Sequence, residues 1–239
     1  MISYSQYKQD IIIDFLLSKK NNGVFLDIGA HDGVSLSNSL FFEKHRNWTG
    51  VCIEPNPSVF EKLKKNRNCR MKNCCISDKQ GNVVFRKVSG SAEMGSGILD
   101  FFDNKHIERI NKAISQYGGS YEDISIKCEN LSTILDEFNI RKIDYCSIDT
   151  EGAELQIVKS IDFEKYDISA FSIEKGNKEV TRYLKSKGYR CAKSMVDNFY
   201  IKNGIGKHVF ALTVILPVYK FISKAWSKMP KIIQNKIKL

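Results

Sequence analysis

The sequence predicts an α/β fold, a doubly wound and mostly parallel sheet with helices on both faces. Three strand ends predict it. The apolar run Val24-Phe25-Leu26-Asp27-Ile28 enters the turn Gly29-Ala30-His31-Asp32-Gly33. The run Gly50-Val51-Cys52-Ile53 ends in Glu54-Pro55-Asn56-Pro57, and the run from Ile143 to Ile148 ends in Asp149-Thr150-Glu151-Gly152. Strands whose carboxyl ends carry glycines or acids describe an open sheet with a nucleoside ligand at its switch point.

The elements follow in order. Residues 6–19, with Ile11, Ile12, Phe15 and Leu16, predict an amphipathic helix that Asn21-Asn22-Gly23 ends. A strand is expected at 24–28, a helix at about 35–46 starting near Ser35 and Ser37, and a strand at 50–54. Asn56 caps a helix whose first position is Pro57 and which runs to about Asn66. A strand at about 70–77 follows, then a turn from Asp78 to Asn82 and a return strand from Val83 to Val88. Residues 89–122 break this rhythm. They hold five glycines (90, 95, 97, 118 and 119) and a helical patch near 103–116. Excursions of this length often cover an active site. Beyond it come a strand at 124–128, a helix at 131–138, a strand at 143–149, helices at about 153–160 and 178–187, and a strand at 168–174. A closing hairpin is expected at 188–193 and 196–202. Alternation at this spacing implies a parallel sheet with one antiparallel departure at the end.

The 239 residues, 42% of them hydrophobic, suit one α/β domain over 1–205 with a substantial core. Seven scattered cysteines, an odd number without a Cys-x-x-Cys pair, argue for a reducing compartment and against a zinc–thiolate site. The first residues lack the basic-then-apolar pattern of a signal peptide, and no apolar run reaches the length that spans a bilayer. The expected location is the cytoplasm.

The charge is uneven. Lys207 to Leu239 holds seven lysines and no acid, so the rest of the chain carries only +3 of the net +10. Within this tail, 206–239, Phe221, Ile222, Ala225, Trp226 and Met229 share one helical face beside Lys220, Lys224 and Lys228. A basic amphipathic helix of this kind suits an anionic membrane surface, at the inner face of a membrane for a cytoplasmic protein. Docking on the domain or on a second subunit is the alternative, which leaves room for an oligomer. Nucleic acid is not expected, because the aromatic residues lie on the apolar face and not among the lysines.

Each candidate site residue has a chemical reason and a structural rival. Backbone N–H groups around Ala30–Gly33 suit a carboxylate or phosphate, and a side chain at Gly29 or Gly33 would block its approach. Glu54, 21 residues after Gly33, suits the two hydroxyls of a ribose; a surface acid at a strand end is the rival. Asp149 and Glu174 converge if their strands are neighbours, and acids in a shared cleft act as general bases. Glu151 and Glu154 also suit a helix's first turn, where they offset its dipole. His31 suits either substrate contact or closure of the turn.

The segments Tyr4-Ser5-Gln6 with Gln9-Asp10, Phe25 to Gly33, Ile53 to Pro57, Cys75-Ile76-Ser77-Asp78 and Ile148 to Glu154 together resemble the FkbM family of S-adenosylmethionine-dependent methyltransferases. The resemblance covers about 4–202. It implies a Rossmann-like class I methyltransferase fold of seven strands, the last antiparallel, and O-methylation, often of sugar or polyketide hydroxyls. It places the methionine part of the cofactor at Asp27, Gly29, Ala30, His31 and Gly33. Ribose falls at Glu54, adenine near Cys75–Asp78 with Ile76 and Ser77, and the methyl group near Asp149; Pro55 and Asn56 are further cofactor contacts. Gln6 belongs to an N-terminal element that folds over the cofactor. The acceptor is then a small molecule or glycan, such as a lipid-linked sugar, with 89–122 shaping its pocket. Asp149 is the first candidate for the base, then Glu174, then His31. No metal is assigned, although Asp149 and Glu174 would suit a divalent ion. The rival functions are an NAD-dependent oxidoreductase on a similar sheet and a non-catalytic binding protein.

Overall fold

The computed structural model describes residues 2–174, 177–193 and 196–205. The basic tail from 206 onward lies outside the described residues. The chain begins with α1 (Gln9–Leu16), β1 (Val24–Ile28), α2 (Leu40–Arg46), β2 (Thr49–Ile53), α3 (Pro57–Asn66) and β3 (Arg70–Lys72). It continues with β4 (Cys75–Ile76), β5 (Gly81–Gly90), β6 (Gly97–Ile98), α4 (Asn104–Tyr117), β7 (Gly119–Glu129) and α5 (Leu131–Glu137). The last part holds β8 (Lys142–Ile143), β9 (Tyr145–Ile148), α6 (Glu154–Lys159), β10 (Asp167–Ile168), β11 (Ala170–Glu174), α7 (Lys178–Ser186), β12 (Tyr189–Lys193) and β13 (Asp197–Lys202).

Seven strands form one sheet in the order β12-β13-β11-β9-β1-β2-β3. All neighbours from β11 to β3 are parallel, and β13 is antiparallel to both β11 and β12. This is the class I methyltransferase order, with the last strand slotted in antiparallel beside β11. Successive side chains of a strand point to opposite faces. Leu26 and Ile28 therefore pack with α5, α6 and α7 residues such as Ile134, Ile157 and Leu184. Phe25, Cys52 and Tyr145 turn the other way, onto Ile13, Phe42 and Leu63 of α1, α2 and α3. The result is a three-layer α/β/α stack.

Three sequence expectations need correction. The strand expected at 70–77 breaks after Lys72, and Cys75–Ile76 pairs with β7 in a second sheet. The break is held by Asn73, whose Nδ2 donates to the carbonyls of Glu54 (2.8 Å) and Pro55 (3.0 Å). The helix expected from about 35 starts at Leu40, because Ser37 Oγ accepts the Leu40 N–H and the residues before it line a cleft. The excursion at 89–122 is the end of a long hairpin. β5 and β7 pair in unbroken register from Gly81–Cys128 to Gly90–Gly119, and α4 sits between them in sequence. This hairpin has its own small core around Phe85, Ile98, Ile126 and Cys128.

Candidate active site

The carboxyl ends of β1, β2, β9 and β11 open into a cleft with a cavity of about 260 Å³. Register brings them there: Ile28 faces both Ile53 and Ile148, and Ile148 faces Ile173. The residues that follow these positions, Gly29, Glu54, Asp149 and Glu174, therefore emerge at one edge. Gln6, Asp27, Gly29, Ala30, His31, Glu54, Pro55, Asn56, Ile76, Asp149 and Glu174 all line this cavity. Gly33, Ser77 and Asp78 do not. Gly33 backs onto α3, where a Cβ would lie 2.5 Å from Leu63 and 2.6 Å from Arg67. Ser77 is turned inward and accepts the Lys79 N–H at 2.9 Å.

The glycine turn is tied closely into the protein's own backbone. Gly29 has φ +85°, and a Cβ there would stand 1.9 Å from the carbonyl oxygen of Asp149. Its lack of a side chain lets two backbone segments meet. The N–H groups of Ala30, His31 and Gly33 are also engaged within the protein. Ala30 donates to the Ile53 carbonyl (3.1 Å), Gly33 to the Ala30 carbonyl (3.0 Å), and His31 to Glu54 Oε2 (2.9 Å). The carboxylate that the turn meets is the chain's own.

Glu54 is buried and accepts a second N–H, from Asn56, at 2.8 Å on Oε1. Burial pushes its carboxyl up to about 7 against the pull of these two bonds. Each oxygen keeps a second lone pair for a ligand hydroxyl. Asn56 is also buried. Its Oδ1 caps α3 through the Ser58 N–H, and its Nδ2 has no hydrogen-bond partner. Asn38, which lines the same cavity, donates to Ser147 Oγ at 3.1 Å, and its Oδ1 is likewise without a partner. Asp27 accepts Ser39 Oγ at 2.5 Å, and burial raises its carboxyl. Its contacts organise the start of α2.

Asp149 is open to solvent through the cleft mouth, yet its carboxyl is pushed well above the usual range. The protein packed around it is the first cause, followed by the charges of Glu174, Glu151, Asp197 and Glu154. Glu174 rises to about 7 for the same reasons, burial first, then Glu151 and Glu154. Glu154 serves structure: its Oε1 accepts the N–H groups of Thr150 (3.3 Å) and Gly152 (3.0 Å). His31, at φ 50°, places Nε2 3.2 Å from Glu93 Oε2, and Lys62 reaches the same oxygen at 3.2 Å. Glu93 belongs to the excursion, which thereby reaches across the cleft to the turn after β1.

A second cavity of about 540 Å³ lies beside the first, beneath α4. Phe101, His106, Arg109 and Asn177 help to line it, and it shares only Glu151 and Glu174 with its neighbour. Among the described residues, no group of three or more His, Cys, Asp or Glu side chains is arranged to hold a metal ion. No helix among them is long and apolar enough to cross a membrane.

Sequence reasoning left several of these residues unassigned. Gln9 and Asp197 both line the first cavity, and Glu93, His106 and Arg109 arrive from the excursion. Asp197 carried one signal, an acid at the head of the apolar strand Asp197–Lys202. Gln9 lay among the segments that carry the resemblance, and Glu93, His106 and Arg109 were marked only by lying in the 89–122 excursion.

The profile of the methyltransferase FkbM domain matches residues 27–191. The chain belongs to this family of S-adenosylmethionine-dependent methyltransferases. Its fold resembles that of the methyltransferase FkbM from Methylobacillus flagellatus at 14% identity and a TM-score of 0.47, covering 75% of this chain and 43% of that one. A precorrin-6y C5,15-methyltransferase from Geobacter metallireducens matches at 13% identity and a TM-score of 0.41, over 85% and 94% of the two chains. An RNA methyltransferase from Salinibacter ruber, solved with S-adenosyl-L-homocysteine, matches at 14% and 0.40, over 83% and 93%. The present chain thus spans less than half of the Methylobacillus chain. No curated protein matches it.

Proposed function

We propose that this chain transfers a methyl group from S-adenosylmethionine to a hydroxyl of a glycan, a lipid-linked sugar or a related metabolite. The observation that carries the proposal is the pair of cavities that meet at Glu151 and Glu174. One cavity suits the donor and the other the acceptor.

The donor fits the residues of the first cavity. Glu54 offers lone pairs to ribose hydroxyls, and the unpartnered Asn56 Nδ2 and Asn38 Oδ1 offer a donor and an acceptor in its walls. Val59, Cys75 and Ile76 give an apolar wall for a purine, and Asp149 lines the same cavity. When bound, S-adenosylmethionine supplies a methyl group on an electrophilic sulfonium. The chain's part is to align the acceptor oxygen behind that methyl and to take its proton. Glu174 faces both cavities and titrates near neutrality, so it is the base in this proposal. Asp149 lines the donor cavity alone of the two, and His31 is held by Glu93. The basic tail, 206–239, would keep the enzyme beside acceptors borne on an anionic membrane.

Calorimetric titration with S-adenosylmethionine, and separately with NAD, tests the proposal. Micromolar binding of the methyl donor is expected. Glu54→Ala should weaken it roughly 10- to 100-fold, the loss of hydrogen bonds to a charged group. Binding of NAD in place of the methyl donor would overturn it.

A further inference from the structure

We propose that Arg109 and His106, carried by α4 of the inserted hairpin, are positioning residues that lock the loop from Asp149 to Glu154 and so complete the acceptor side of the cleft. The inference rests on the methyl-transfer proposal for its catalytic meaning. Its structural content is independent of it.

The contacts converge on one carboxylate. Arg109 Nη2 donates to Glu151 Oε2 at 2.6 Å, and His106 Nδ1 lies 3.3 Å from the same oxygen. His106 is itself fixed: its Nε2 meets the Gly95 carbonyl at 2.9 Å, and its ring packs on Phe102 with centroids 4.1 Å apart. The loop that they hold is one that the backbone does not favour. Glu151 has φ 54° and Gly152 has φ 118°. Left-handed conformations of a non-glycine residue cost energy and persist where the surroundings over-determine them. The insert supplies those surroundings closely enough that a Cβ on Gly152 would meet the Phe101 carbonyl at 2.8 Å. The same insert reaches the donor side through Glu93, so a single element spans both cavities.

The clamp also sets the charge at the junction. Burial alone would raise Glu151, but His106 and Arg109 outweigh it and hold the carboxyl below its ordinary value. Glu174 then faces a fixed anion at Glu151, with Glu154 and Asp197 also raising it and Arg109 lowering it. Arg109 thus acts on the base both through the loop and through its own charge.

Arg109→Met and Arg109→Lys, with Glu151→Gln probing the same contact from the other side, test the proposal in the full-length chain. Hydrogen exchange of peptides covering 149–154 should accelerate roughly tenfold or more in Arg109→Met and Glu151→Gln, the loss of a charge-assisted bond, with protection restored in Arg109→Lys. A second readout compares S-adenosylmethionine with S-adenosylhomocysteine, which lacks the sulfonium charge. In the wild type the preference for the charged ligand should rise with pH through about 7 as Glu174 ionises. Arg109→Met should move that midpoint up, Glu151→Gln should move it down, and Arg109→Lys should leave it in place. A merely structural contact would not move it. Unchanged exchange at 149–154 in both disrupting variants would overturn the clamp. A wild type that binds neither ligand would overturn the methyltransferase proposal instead, and exchange would still decide the clamp.

Discussion

Gln9 Nε2 donates to Asp197 Oδ2 at 2.8 Å, a buried bond between residues 188 positions apart that ties the start of α1 to β13 in the cleft wall. It joins the first described helix to the last described strand in the lining of the first cavity. Gln9→Ala should lower stability by about 1–3 kcal/mol, because the bond is made to a buried carboxyl. It should also raise the Asp197 carboxyl further, since Gln9 is what opposes burial there. Chemical denaturation at neutral pH checks the first effect, and NMR titration of the Asp197 carboxyl checks the second.

Gly29→Ala should be far more damaging than its size suggests. The new Cβ would overlap the Asp149 carbonyl at a positive φ, so β1 and the loop after β9 would have to part. A loss of more than about 2 kcal/mol is expected. Gly33→Ala also lies at positive φ, but there the new atom meets the side chains of Leu63 and Arg67. It should cost less. Urea denaturation of the two variants side by side ranks them.

Glu174 makes stability depend on pH. Its folded value of about 7 stands above the ordinary 4.5, so the unfolded chain loses this proton first. The group's contribution is fully present below the unfolded value, falls as pH rises toward 7, and is gone above it. Glu174→Gln removes this dependence. The melting temperature of the variant minus that of the wild type should be smallest in mild acid and grow more positive up to about pH 7. A difference that stays flat would contradict the raised value.

The basic tail is tested by shortening the chain. A protein ending at Gly206 should keep its affinity for S-adenosylmethionine and lose association with anionic vesicles. Sedimentation with phosphatidylserine-containing liposomes, with neutral liposomes beside them, reads the second property. Equal association of both proteins would remove the membrane from the proposal.

Much of the fold was legible in the sequence. A short apolar run closed by turn residues is a local property, and such runs marked β1, β2, β9 and β11. Asn56-Pro57 announced the start of α3 because a cap and a preset φ act within one turn, and the structure has both. The strand ends at Gly29, Glu54 and Asp149 were legible for the same reason. In an open parallel sheet the carboxyl ends share one edge, so residues there share one cleft.

What only the tertiary structure decided is the partnership between distant residues. Gly29 lacks a side chain for the sake of Asp149, and Glu54 is held by His31 and Asn56. In the wall of the second cavity, Arg109 and His106 from an inserted hairpin meet Glu151. None of these pairs leaves a period or a motif, because each contact joins segments that chain topology brings together only after the sheet has formed. The sequence by itself determined which strands end in glycine or acid. Folding determined which of those groups meet each other and which remain turned to the cleft.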